Sequence, residues 1–287
     1  MTTTDQTAEL LRGLEYRDKA AVMRKLDQFI HDGLDKLQVV SDFDLTATEG
    51  REVNKNIGSW DIVDQLIPPE GVERHGEIYQ SLRPLEKAGL LTDEVAHAKW
   101  SEVLDLIASY HIRVDDLRDA FLVAAQLRTG FKELFDCAKE RGVPTTILSS
   151  GIKNIIDLAL DYYGVSPTHV VANALAVDPV TKRLVQGGDG RFDDLIHVLN
   201  KHERGHVALK TLREQRPNGF LLGDVPADTE MLLGDSVLRI CVLEPRAGEL
   251  RERDAASKCF NDGYDLAVMR DLTPVVRLFK HVVNQVN

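Results

Sequence analysis

Asp42 and Asp44 stand two residues apart in Asp42-Phe43-Asp44-Leu45-Thr46, directly after the apolar run Leu37 to Val40. A short apolar run bounded by acids reads as a buried strand, and open α/β sheets hold their ligands beyond the carboxyl ends of their strands. A turn beginning here splays the two side chains and brings a backbone carbonyl between them. That suits a hard cation beside a carboxylate nucleophile. Taken alone, a strand ending in acidic residues is more often a solvated turn or a helix cap.

Later segments make it more specific. Ile147-Leu148-Ser149-Ser150-Gly151-Ile152 reads as a strand ending in hydroxyls and a glycine at the mouth of a helix, where a hydroxyl and backbone N–H groups can hold phosphate oxygens. An ordinary helix N-cap is the plainer reading of that segment by itself. Leu195 to Asn200 is an apolar-periodic run with Lys201 at its end; aimed inward, that lysine would neutralise a nucleophile and the phosphate it receives, and otherwise it is solvated. Gly223-Asp224-Val225-Pro226-Ala227-Asp228 again ends an apolar run, with one acid placed to ligate a metal and the other to orient it. Acid pair, hydroxyl, lysine and acid pair follow in order, which is the inventory of phosphoryl transfer through an aspartyl intermediate.

In these segments the sequence resembles the haloacid dehalogenase superfamily of phosphatases, and within it the pyrimidine 5′-nucleotidase (cytosolic 5′-nucleotidase III) family. The likeness extends through Lys36 to Asp44, Leu195 to His202 and Leu221 to Asp224. It implies a magnesium-dependent enzyme that hydrolyses nucleoside 5′-monophosphates, UMP and CMP first, through an aspartyl phosphate. Asp42 would be the nucleophile and Asp44 the general acid and base. Magnesium would sit on Asp42, the Asp44 carbonyl and Asp224, supported by Asp228. Ser149, Ser150, Gly151 and Lys201 would hold the phosphate. The family's base-recognising glutamate falls on Glu102, while Val103 and Leu104 stand where its aromatics do. Trp100 offers a ring from the same helix.

Around these residues the chain alternates between strand and helix. Thr7 to Asp35 has helical periodicity, and after Gly130 come a helix over Phe131 to Arg141, a strand over Val143 to Leu148 and a helix over Lys153 to Tyr163. A strand at Val170 to Asn173, a hairpin over Ala176 to Val185, and buried strands at Phe220 to Asp224, Ile240 to Leu243 and Leu266 to Val268 complete the pattern. The expected fold is α/β: a Rossmann-like parallel sheet core with helices on both faces, and a helical cap inserted after the first strand. The core comprises residues 1–48 and 130–287. The cap covers residues 49–129, a charged stretch with helical patterns at Trp60 to Leu66 and Val95 to Ser109.

With 46 acidic against 35 basic residues the net charge is −11, which argues against binding to nucleic acid or anionic membranes. Cys137, Cys241 and Cys259 are odd in number and far apart, and the amino-terminal residues lack the pattern of a signal peptide, so reduced thiols and a cytoplasmic monomer or homodimer are expected. His202-Glu203-Arg204-Gly205-His206 matches the zinc-peptidase signature, with Glu230 as a conceivable third ligand, but Gly205 weakens the helix it needs and the reading leaves both acid pairs idle. A non-catalytic binding module is disfavoured because every catalytic side chain is present. The serious alternative is a phosphatase of phosphoserine or a sugar phosphate, since the inserted segment sets substrate choice.

Overall fold

The computed structural model describes residues 3–52, 57–186, 195–197, 199–244 and 252–286. In chain order the elements begin with α1 (Thr3–Leu10), β1 (Leu14–Tyr16), α2 (Lys19–Asp32), β2 (Leu37–Ser41) and β3 (Thr48–Gly50). Next come four helices, α3 (Ser59–Asp64), α4 (Pro69–Lys87), α5 (Asp93–Ser109) and α6 (Val114–Ala124), and the strand β4 (Ala125–Leu127). Then follow α7 (Phe131–Glu140), β5 (Thr145–Ile152), α8 (Lys153–Tyr163), β6 (His169–Asn173), β7 (Ala176–Val177) and β8 (Leu184–Val185). The chain ends with α9 (Lys201–Ala208), α10 (Lys210–Gln215), β9 (Asn218–Gly223), β10 (Val237–Leu243), α11 (Glu252–Asn261), β11 (Leu266–Met269) and α12 (Thr273–Val283).

The main sheet has seven strands in the order β1-β11-β10-β9-β2-β5-β6. All neighbours are parallel except β1, which runs antiparallel to β11. Both faces are covered, so the strands carry near-continuous apolar sequence. On one face Val39, Ile147, Phe220 and Leu222 join the large core; there Phe220 lies 5.5 Å from Phe29 of α2 and 5.4 Å from Phe279 of α12, ring to ring. Val40, Leu148 and Leu221, one residue along each strand, point the other way against Ile196, Met231, Leu232 and Val237. The α/β expectation therefore holds.

Local chemistry explains the departures. The expected helical stretch from Thr7 to Asp35 is two helices with a strand between them. Gly13 takes φ +81°, which ends α1 and turns the chain into β1, and the carboxylate of Asp18 then caps α2 through the N–H groups of Ala20 and Ala21. β5 runs past the expected Leu148 to Ile152, so Ser149 and Ser150 lie in its last residues, directly before α8. Lys201, expected at the end of an apolar-periodic run, is the first residue of α9; Val198, within that run, lies outside the described residues. Reduced thiols were expected throughout, yet Cys241 on β10 and Cys259 on α11 are joined as a disulfide, their Cα atoms 6.2 Å apart, while Cys137 is free. Spacing along the chain could not show that this strand and helix are neighbours. Among the described residues no helix is long and apolar enough to cross a membrane.

β3 and β4 form a separate antiparallel ribbon through which the chain passes to and from the four helices α3 to α6. Beside it the side chain of Arg128, with no exposed surface, pairs with Glu244 at 2.9 Å and Glu49 at 3.6 Å. Arg128 also donates to the Leu45 carbonyl at 2.8 Å, and Leu45 itself takes φ 62°, rare for a residue with a branched side chain.

Candidate active site

β2, β5 and β9 are consecutive in the sheet; the last residues of β5 and the chain just beyond β2 and β9 each deliver one part of the site. Asp42 leaves the end of β2 with its N–H donating to the Leu222 carbonyl of β9. Lys201, buried at the start of α9, donates to Asp42 Oδ1 at 2.5 Å and to Asp228 Oδ1 at 2.7 Å. Asp228 lies in a 3-10 turn over Pro226–Glu230, and its other oxygen accepts from the backbone N–H groups of Asp224 and Val225 at 3.0 and 3.2 Å. Thr46 Oγ1 donates to Asp224 Oδ1 at 3.1 Å, and Tyr264 Oη donates to the Val225 carbonyl at 2.7 Å. The acidic loop is thus held from both sides.

Charge decides what this cluster can hold. Burial pushes Asp42 up to about 7, with Lys201 pulling it back and Asp228 adding to the rise. Burial, then the neighbouring Asp42 and Asp228, raises Asp224 well above the ordinary carboxylate range. Burial alone would lower Lys201, but Asp228 and Asp42 outweigh it and drive its pKa upward, so the ammonium is permanent. One ammonium among four carboxylates, the buried Asp42 and Asp228 and the half-buried Asp44 and Asp224, leaves negative charge uncompensated. Oxygens of Asp42, Asp224 and Asp228 lie within 4.8 Å of one another, the one group of three ligating side chains found among the described residues. An all-oxygen, negatively charged donor set fits a hard divalent cation. His202 and His206 do share the continuous helix α9, and His202 Nδ1 lies 3.5 Å from Glu230, but they are not gathered into such a group.

Asp44 sits opposite, raised by burial to about 6. Both of its oxygens accept from Ser59, the first residue of α3: the N–H reaches Oδ1 at 3.0 Å and the hydroxyl reaches Oδ2 at 2.7 Å. Ser149 is buried beside them, its Oγ accepting from the Gly151 N–H at 3.0 Å. Glycine is required at 151, because a Cβ there would stand 2.5 Å from both Asp44 Oδ2 and Ser59 Oγ.

A pocket opens from Ser150 toward the helices after β3, lined by Trp60, Tyr79, Arg83, Glu86, Trp100 and His197 among others. The two tryptophan rings lie 4.8 Å apart. Buried His197 sits 3.1 Å from Asp93 of α5. Glu102 is not in the pocket lining; it pairs with Arg74 and with Lys99, the latter at 3.0 Å. The structure therefore brings together Asp42, Asp44, Ser149, Gly151, Lys201, Asp224 and Asp228 and leaves Glu102 apart. Ser59, His197, Arg128 and Tyr264 were not singled out from sequence. Each works through a partner distant in the chain, and no local periodicity marks such a residue.

Comparison with known proteins points to one family. The sequence profile of the family described as "Pyrimidine 5′-nucleotidase (UMPH-1)" matches residues 44–286. The chain is 28% identical over 273 residues to the 7-methylguanosine phosphate-specific 5′-nucleotidase A of Xenopus laevis, spanning 90% of each protein. It is 27% identical over 271 residues to the Homo sapiens enzyme of the same specificity name, covering 88% of this chain and 87% of that one. In fold it is similar to a crystal structure of cytosolic 5′-nucleotidase IIIB bound to cytidine, with TM-score 0.78 and 22% identity over 99% of this chain and 98% of the other.

Proposed function

The chain belongs to the pyrimidine 5′-nucleotidase (UMPH-1) family of haloacid dehalogenase-type phosphatases, and on that premise we propose that it hydrolyses nucleoside 5′-monophosphates with magnesium. The observation that carries the reading is Lys201 bridging Asp42 and Asp228 within a three-carboxylate cluster, with a tryptophan-lined pocket opening from Ser150 close by. Asp42 attacks the phosphorus and becomes the phosphorylated residue, while Asp44 gives its proton to the departing 5′-oxygen and later takes one from water. Lys201, the Ser149 hydroxyl and the backbone N–H groups around Ser150 and Gly151 hold the transferring group. Asp42, the Asp44 carbonyl and Asp224 would hold magnesium, with Asp228 behind them. Magnesium would supply charge neutralisation for the phosphate and keep Asp42 ionised.

Residues 49–129 act in this reading as a cap over the core formed by 1–48 and 130–287, and the base lies against Trp100 and Trp60. UMP and CMP are the substrates that the family's name suggests. A second reading, 7-methylguanosine monophosphate, is favoured by the two indoles with Glu86 in the same pocket, because a cationic ring gains cation–π and charge attraction there. A cytoplasmic setting accords with the nucleotide substrate.

Phosphate release from UMP, CMP, 7-methylguanosine monophosphate, phosphoserine and a sugar phosphate, with magnesium and with chelator, tests the proposal. Magnesium-dependent release from a nucleotide, lost in Asp42→Asn, is expected. Release confined to phosphoserine or the sugar phosphate would refute the substrate class, and full activity in Asp42→Asn would refute the mechanism.

A further inference from the structure

Ser59 is fully buried at the junction of three segments. It belongs to α3, the first helix after β3, yet its N–H and hydroxyl both bond to the core. Its N–H and hydroxyl occupy the two oxygens of Asp44, and its Oγ accepts from the Ile152 N–H at 3.0 Å. That N–H follows directly on the Ser149-Ser150-Gly151 stretch. Because Ile152 supplies the proton for one side of the hydroxyl oxygen, the single hydroxyl hydrogen is directed at Asp44. Two donors on two oxygens fix both the position and the rotation of that carboxyl group, and each oxygen keeps a further lone pair with which to carry or receive a proton. The space is closed: Gly151, with no Cβ, lets the hydroxyl in, and Gly58 lies against Asp44 on the other side.

We propose that Ser59 is a positioning residue for the acid–base step, so that seating α3 on the core and orienting Asp44 are a single event. The proposal rests on the role given to Asp44 above. In that step an Asp42 oxygen forms a bond to phosphorus, the bond from phosphorus to the nucleoside 5′-oxygen breaks, and the Asp44 proton passes to that oxygen. Products are the Asp42 acyl phosphate and the neutral nucleoside. A misdirected Asp44 leaves this oxygen to depart as an alkoxide, which matters for a nucleoside and hardly at all for p-nitrophenolate.

The test compares single-turnover phosphoryl transfer to Asp42 from the preferred nucleotide and from p-nitrophenyl phosphate, in the wild type, Ser59→Ala, Ser59→Thr and Asp44→Asn. Ser59→Ala is expected to slow transfer from the nucleotide by about 10- to 100-fold, as loss of a well-aimed general acid does, with p-nitrophenyl phosphate changed by less than about threefold. Ser59→Thr keeps the hydroxyl and should recover most of the nucleotide rate; thermal unfolding of each variant confirms that folded protein is compared. Equal slowing of both substrates, or of neither, in folded Ser59→Ala overturns the proposal. Asp44→Asn separates the two claims. If it spares p-nitrophenyl phosphate and slows the nucleotide, the role of Asp44 stands whatever Ser59→Ala does; if it shows no such selectivity, that role fails and the positioning proposal with it.

Discussion

Replacing Arg128 by methionine keeps the aliphatic stem and removes the guanidinium that joins the ribbon to the core. The guanidinium has no exposed surface and faces Glu244 at 2.9 Å, Glu49 at 3.6 Å and the Leu45 carbonyl at 2.8 Å. Removing one member of a buried ion pair costs about 3–5 kcal/mol, because the other charge is left desolvated. Here Arg270 remains on Glu244, its Nε donating to Oε1 at 2.8 Å, so the lower end applies. The abandoned Leu45 carbonyl adds about 1 kcal/mol, the smaller end of what an unsatisfied buried acceptor costs. The expected loss is therefore about 4 kcal/mol, or roughly 8 °C in Tm for a chain somewhat larger than 250 residues. Urea unfolding should show a lower midpoint with an unchanged slope. In the double variant Arg128→Met with Glu244→Gln, the loss should fall short of the sum of the single losses by more than about 1 kcal/mol, since the two side chains touch. A loss below about 1 kcal/mol for Arg128→Met, or strict additivity, would refute the claim that this pair ties the ribbon down.

Three further outcomes are expected. Gly151→Ala should cut kcat/KM by up to about 100-fold through displacement of Asp44 and Ser59 by as much as about an ångström, while calorimetry shows the modest destabilisation of an overpacked site, about 1–3 kcal/mol. Magnesium at about 100 times its dissociation constant should stabilise the protein by roughly 2.7 kcal/mol in thermal melts; Asp224→Asn, which loses a ligand, should lose the shift, and an undiminished shift would place the ion elsewhere. Burial holds the His197 pKa below the ordinary histidine value of 6.5, against the opposing pull of Asp93. The unfolded chain then binds the proton first, so stability is lost as pH falls through about 6.5, and urea midpoints at pH 7.5 and 5.5 should lie closer together in His197→Asn than in the wild type.

The candidate site residues could be read from sequence because each lies at or after the end of an apolar run that fixes where it emerges: Asp42 after β2, Ser149 within the last residues of β5, Asp224 after β9. Parallel neighbours then bring those ends together without any further information. Side chains whose purpose lies across the chain were illegible. Ser59 meets Asp44 through a turn and a ribbon, and Arg128 meets Glu244 through the whole second half of the core. The helix carrying Trp100 and Glu102 was visible, but residues two apart on a helix point in nearly opposite directions. Only one of them can face the pocket, and the structure gives that place to Trp100.

The β3–β4 ribbon places Thr48 opposite Leu127 and Gly50 opposite Ala125, so the helical excursion starts and finishes a strand's width apart, about 4.8 Å. An excursion whose ends adjoin asks nothing of the sheet's strand order or register. It can lengthen, shorten or be exchanged for another helical unit while β2, β5 and β9 keep their alignment, and the entropy of closing so long a loop rises only with the logarithm of its length. Inheritance can therefore act on the two parts of this chain at different speeds: the sheet keeps its alignment, and the helical unit between β3 and β4 can be exchanged as a cassette.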